Sequence, residues 1–172
     1  MLLNKFIKQT TLAMVLMAGA ITSTHAILPI EKLEPVKGAQ TYLVQTKALP
    51  MVDIEISIDA GDRYDPAAKS GLATVVGQLM NYGAKSEKGL LTEAQIADEI
   101  ADLGANLGVS VSGERAVMRI RTLSRKDLRD RAVQLASAML SAPTYDAKIL
   151  AREKQRMTTA LLEAETKPES VL

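Results

Sequence analysis

Residues Leu91 to Leu123 read LTEAQIADEIADLGANLGVSVSGERAVMRIRTL, and this one stretch holds a helix signal followed directly by a hairpin signal. Thr92 with Gln95 three residues on forms a capping-box pattern, Ile96, Ile100 and Leu103 follow at helical spacing, and Gly104 offers a left-handed stop. Beyond the glycine the period shortens. Leu107, Val109 and Val111 alternate with Gly108, Ser110 and Ser112. After a turn at Gly113-Glu114, Met118 and Ile120 alternate with Arg119 and Arg121 between Ala116 and Leu123. A capped helix leading into an antiparallel hairpin is therefore expected.

Working outward, the same two periods recur on both sides. Thr41 to Lys47 (TYLVQTK) is a short strand, and in Met51 to Ala60 the residues Val52, Ile54, Ile56, Ile58 and Ala60 alternate with Met51, Asp53, Glu55, Ser57 and Asp59. The branched set is expected to face inward. Gly61-Asp62 and Asp65-Pro66 break that strand, and Ser70 is positioned to cap a helix running to about Asn81, with Leu72, Val75, Val76, Leu79 and Met80 on its apolar side. Downstream, Ser124 with Asp127 opens a helix striped by Leu128, Ala132, Leu135, Ala136 and Met139, which Pro143 ends. Asp146 then caps a last helix with Leu150, Met157, Leu161 and Ala164 inward. The order is ββααββαα, two weakly repeated halves. Paired strands rather than β-α-β alternation predict an α+β domain, an antiparallel sheet packed on helices.

Composition narrows the chemistry. The chain has 172 residues, no cysteine, one histidine and a net charge of +1. Disulfides, thiolate nucleophiles and cysteine-held metals are excluded, and near-neutral charge with 3% aromatics excludes a typical nucleic-acid binder. Lys5 and Lys8, the apolar run Leu12 to Ile21, and small residues at Thr24 and Ala26 spell a secretory signal peptide over residues 1–26, too short in its apolar part to span a bilayer. Cleavage after Ala26 removes His25 and leaves no histidine, and it places the product in a periplasm or outside the cell. Residues 27–39 read as an N-terminal extension and 40–172 as the working domain.

Two stretches carry a resemblance. Asp59-Ala60-Gly61-Asp62-Arg63-Tyr64-Asp65 followed by Lys69-Ser70-Gly71-Leu72-Ala73, together with the Leu91–Leu123 block, resemble the insulinase/pitrilysin-type peptidases, which include mitochondrial processing peptidase. In that family a strand ending in an AGSRYE-like turn leads through SGLAH into a helix carrying the zinc motif H-x-x-E-H. Two histidines four apart hold Zn²⁺ and the glutamate serves as general base on its water. The resemblance implies the fold of the family's N-terminal domain and sets Thr74, Val75, Val76, Gly77 and Gln78 on the five motif positions. Thr74 and Gln78 replace the histidines, and Gly77 replaces the glutamate. On a later helix the family keeps a supporting glutamate and, seven residues on, a glutamate ligand. The corresponding positions are Glu153 and Ala160, with Glu163 a substitute only if the register shifts. Taken by themselves, Glu153 and Glu163 read as solvated helix-face carboxylates.

The resemblance thus implies a chain without catalytic residues and without zinc, similar to the motif-less partner in two-subunit members of the family. A zinc-bearing family subunit is the expected partner. The strand row Asp53, Glu55, Ser57 and Asp59 is a candidate for meeting an extended peptide by strand addition, or else the wet face of a half-buried strand. The family's usual second domain is not expected within these residues, and the ending Pro168-Glu169-Ser170-Val171-Leu172 reads as a truncated first domain. An independent periplasmic peptide-binding or scaffold module, and an active metallopeptidase with unusual ligands, are the alternatives.

Overall fold

The computed structural model describes residues 28–166. The leader read at 1–26 and the ending from Pro168 lie outside the described residues. The chain divides into two compact units between Ala48 and Leu49, inside the stretch read as one domain.

The first unit contains a hairpin, β1 (Ile30–Val36) against β2 (Ala39–Val44), turned by Lys37 and Gly38 with φ of 50° and 86°. Strand β1 occupies what the sequence suggested was an extension. Glu31, Glu34 and Pro35 hide its alternation, while the two positive φ values match the tight turn that hairpins favour.

The second unit is built on a three-stranded antiparallel sheet in the order β3-β7-β6, with β3 at Met51–Ile58, β6 at Asn106–Ser112 and β7 at Arg115–Leu123. Between β3 and β6 come α1 (Leu72–Leu79), a small hairpin of β4 (Gly83–Ser86) and β5 (Gly89–Thr92), and α2 (Glu93–Asp102); α3 (Lys126–Ser141) and α4 (Ala147–Glu165) follow β7. The α+β class and the β6–β7 hairpin stand as read. Four-residue strands are too short to show a period, so β4 and β5 left no alternation to find.

The core lies where α3 and the α2 end meet the sheet: Ile96, Leu103, Leu107, Val109, Met118, Ile120, Ala132, Leu135, Ala136 and Met139 are all buried. Every one belongs to a stripe visible in the sequence. The inward row of β3 is a different matter, since Ile54 packs on the core but Ile56 and Ile58 remain 40% and 48% exposed. Helix α1 is only eight residues, about 12 Å long, and an open cavity of about 380 Å³ remains between it and the sheet, lined by Ile58, Leu72, Val76, Met80, Val111 and Leu140 among others. Leu161 of α4 is exposed, although its spacing predicted an inward position.

The connection from β3 to α1 is fixed by main-chain contact. Gly61 N–H donates to Glu114 O at 3.1 Å and Arg63 N–H to Gly113 O at 2.9 Å, so this segment lies directly on the β6–β7 turn. A Cβ on Gly61 would stand 2.1 Å from the Gly113 carbonyl oxygen, so no larger residue fits. Two short 3₁₀ turns, Asp62–Tyr64 and Ala67–Lys69, then bring Asp65 back over the start of α1. Its carboxylate accepts from Gly71 N–H at 2.8 Å and Ala73 N–H at 3.0 Å. Ser70, expected to cap this helix, does not, because the N-cap is Gly71 with φ 87° and the acceptor arrives from six and eight residues upstream. Ser124 is likewise displaced, since Arg125 holds the N-cap of α3 and its guanidinium pairs with Asp127 at 2.6 Å. Thr92 and Asp146 cap α2 and α4 as expected. Asp65→Ala should lower unfolding stability by about 1 kcal/mol, read by urea titration, whereas Ser70→Ala should leave it unchanged.

Candidate functional site

Helix α1 carries all three degenerate motif positions, Thr74, Gly77 and Gln78. It lies against β6, and the closeness of that packing decides what residue 77 can be. Gly77 is buried, and a Cβ built there would stand 2.5 Å from a Val111 methyl and 3.6 Å from a Val109 methyl. The first distance is well inside van der Waals contact, so a side chain requires α1 or β6 to move. A glutamate at this position meets the same collision.

Thr74 and Gln78 are half-buried. The Gln78 side chain reaches α4, where its Oε1 accepts from Arg156 Nη2 at 3.0 Å. Arg156 also donates through Nε to Glu153 Oε2 at 2.8 Å, and Arg152 donates through Nε to Glu153 Oε1 at 3.1 Å. Arg152 continues the chain. It forms a bidentate pair with Glu93 at the start of α2, at 2.8 and 3.2 Å, and its guanidinium lies 5.0 Å from the centre of the Tyr82 ring. One network thus runs Glu93–Arg152–Glu153–Arg156–Gln78 and ties α2, α4 and α1 together.

Glu153 is therefore no solvated carboxylate: it is 2% exposed, with both oxygens engaged. Burial alone would raise its pKa, but the hydrogen bonds from Arg156 and Arg152 outweigh burial and hold it below the usual glutamate range. Ala160, seven residues on, is exposed and contributes only a methyl group, and Glu163 is exposed as well. The arginines were missed in the sequence, although Arg152-Glu153 and Arg156 at one and three positions from the acid are a legible helix-face signal.

These residues do not fit a zinc ion. Thr74 and Gln78 are poor ligands for it, Ala160 is none, the space at Gly77 excludes the base, and Glu153 is already saturated by two cations. Among the described residues no three His, Cys, Asp or Glu side chains gather into a metal-holding group.

The other row singled out in the sequence lies along β3. Asp53 is paired with Arg121 at 2.6 Å and Glu55 with Arg119 at 3.1 Å, each directly across the β3–β7 register. Arg115 donates to Ser57 Oγ at 2.9 Å and lies 3.6 Å from Asp59. The carboxylates form an exposed cross-strand ladder with arginines of β7 rather than an unengaged acidic row. Arg63 pairs with Glu114, which fastens the turn ahead of α1.

Two outcomes follow from this geometry. Gly77→Ala should destabilise the protein by about 1–3 kcal/mol despite alanine's better helix propensity of about 1 kcal/mol, and the triple change Thr74→His, Gly77→Glu, Gln78→His should unfold earlier still without producing a peptidase. A denaturant titration showing Gly77→Ala as stable as the parent would contradict the packing. Because the folded pKa of Glu153 is depressed, its contribution is present above the ordinary glutamate range and is lost as pH falls through the lower folded value. Melting temperatures recorded from neutral to acid pH should therefore fall less steeply for Glu153→Gln than for the parent chain.

Comparison with known proteins agrees with the fold and the altered helix. The model of the insulinase family (peptidase family M16) matches residues 41–172. A non-peptidase homolog, YmxG, from Helicobacter pylori is 27% identical over 164 residues, covering 95% of this chain and 35% of the relative. The solved peptidase M16 inactive domain from Pseudomonas fluorescens superimposes with a TM-score of 0.77 at 28% identity, over 84% of this chain and 34% of that one. A protease from Helicobacter pylori shares the fold alone, with a TM-score of 0.70 at 16% identity over 85% of this chain and 34% of its own. The chain spans about a third of the length of these relatives. With the motif positions of α1 occupied by Thr74, Gly77 and Gln78, and the family model covering most of its length, the chain belongs to the insulinase family, peptidase family M16, in a form whose H-x-x-E-H motif has degenerated.

Proposed function

We propose that this chain is a non-catalytic insulinase-family subunit or fragment that supports a zinc-bearing member of the same family in handling peptides at the cell envelope. The observation that carries this reading is the helix α1 itself. Its motif positions offer neither ligand nor base, and a Cβ at residue 77 would meet a Val111 methyl at 2.5 Å, so a base there requires that contact to move. On α4 an arginine network holds the carboxylate of Glu153.

The names of two relatives, a non-peptidase homolog and an inactive M16 domain, support the same reading. Zinc is not expected as a cofactor. The envelope location rests on the leader read at residues 1–26. Among the described residues no helix is long and apolar enough to cross a membrane.

The test is metal content and activity measured with and without a partner. The full chain, purified after expression alone, should carry no stoichiometric zinc and should not cleave unfolded peptides. Co-expression with a family member bearing an intact H-x-x-E-H should yield a complex whose cleavage is abolished by a chelator. One tightly held zinc per isolated chain, or chelator-sensitive cleavage by that chain alone, overturns the proposal.

A further inference from the structure

Helices α1 and α4 lie side by side in opposite directions. Arg152 of α4 stands by the ring of Tyr82, four residues beyond Gln78, while Arg156, one turn further along α4, bonds Gln78 itself. The next step of that register sets Ala160 opposite Thr74. Motif positions 74 and 78 therefore border a notch shared with the Arg156 guanidinium, and the methyl group of Ala160 does not fill it.

The amide and carboxylate acceptors at this notch are spent, whereas its donors are not. Glu153 has both oxygens in ion pairs, and Gln78 Oε1 accepts from Arg156 Nη2. Of the five N–H groups of a guanidinium, Arg156 uses one of Nε on Glu153 and one of Nη2 on Gln78. The remaining three have no partner among the described residues. Because Arg156 holds the oxygen of the Gln78 amide, it leaves Nε2 and its two protons unbonded, and the Thr74 hydroxyl has no partner either. The Arg156 side chain is 57% exposed, so its free donors are open to solvent.

A metal ion asks for lone pairs, and a set of N–H and O–H donors asks for an anion instead. Charge then selects among anions. Glu93, Arg152, Glu153 and Arg156 carry two negative and two positive charges, so the network is neutral before a ligand arrives and suits a singly charged group better than a doubly charged phosphate. The next acid along α4, Glu163, stands about 10 Å further along the axis. A planar guanidinium with free N–H groups matches a carboxylate.

We propose that the degenerate motif site, Arg156 with Gln78 and Thr74, binds the carboxylate of a peptide. The inference rests on the peptide-handling reading for the bearer of that carboxylate and on the unbonded donors for the site.

NMR titration of the full chain, without a partner, tests it with three probes: N-acetylated trialanine, the same peptide amidated at its C-terminus, and an amidated version with glutamate at its centre. The Gln78 side-chain amide and the Arg156 Nε–H resonances should shift saturably with a carboxylate probe and stay in place with the neutral one. Whichever carboxylate probe binds more tightly identifies a chain terminus or an acidic side chain as the source. Gln78→Glu keeps an acceptor for Arg156 but removes the two free donors and adds a negative charge, so it should weaken binding by about tenfold or more with the melting temperature kept. Arg156→Lys keeps a cation beside Glu153 but loses the fork, and should weaken binding comparably. If that variant melts early, Gln78→Glu and Thr74→Val decide. No shift with either carboxylate probe, an equal shift with the neutral one, or parental affinity in Gln78→Glu overturns the proposal. Zinc found in the isolated chain overturns the non-catalytic reading, whereas a zinc-free chain showing none of these shifts overturns this inference alone.

Discussion

Helix α1 rests on β6 with only a hydrogen atom at residue 77 between its axis and the Val111 methyl, and much of the second unit takes its geometry from that contact. A Cβ at this point would be 2.5 Å from the methyl group, so the helix sits at the depth a glycine permits. That depth lets Asn81, just past the helix end, reach the main chain of Val109. On the opposite flank Gln78 meets Arg156 of α4. A helix held further off by a larger residue could not make these bonds in the same places.

The charged network on α4 follows the same logic at another level. A buried carboxylate is costly unless it is paired and hydrogen-bonded, and Glu153 has two guanidiniums doing both. Arg152 carries the connection to Glu93 and Tyr82, and Arg156 carries it to Gln78. Positive charge is thus supplied from within the chain at the junction of α1, α2 and α4.

Local signals in the chain were good guides wherever one element could be judged alone. The capping box at Thr92 and Gln95, the cap at Asp146, the stripe Leu128 to Met139 and the alternation from Leu107 to Ile120 each reappear in place. Where a partner came from outside the element itself, local reasoning failed. Ser70 looked like the cap of α1, yet Asp65 supplies it through two tight turns, and Glu153 looked solvated because its burial is created by helices remote in sequence. Ile56 and Ile58 show the converse. Their alternation is sound, but the packing against that row is incomplete and both stay exposed, Ile58 on the wall of an open cavity.

What the amino-acid sequence determined by itself was the α+β class, the main hairpin, the positions of four helices and the loss of both histidines and the glutamate from the motif. These depend on residue type and spacing over one or two turns or strands, which the chain displays directly. Only the tertiary structure decided that a side chain at residue 77 would meet Val111, that Glu153 is gripped by Arg152 and Arg156, that the acidic row of β3 is laddered to arginines, and that the Asn81 amide bonds the main chain of Val109. Three of these are contacts between groups far apart in the chain, and the fourth, Glu153 held by arginines of its own helix, turns on a burial that residue spacing does not display.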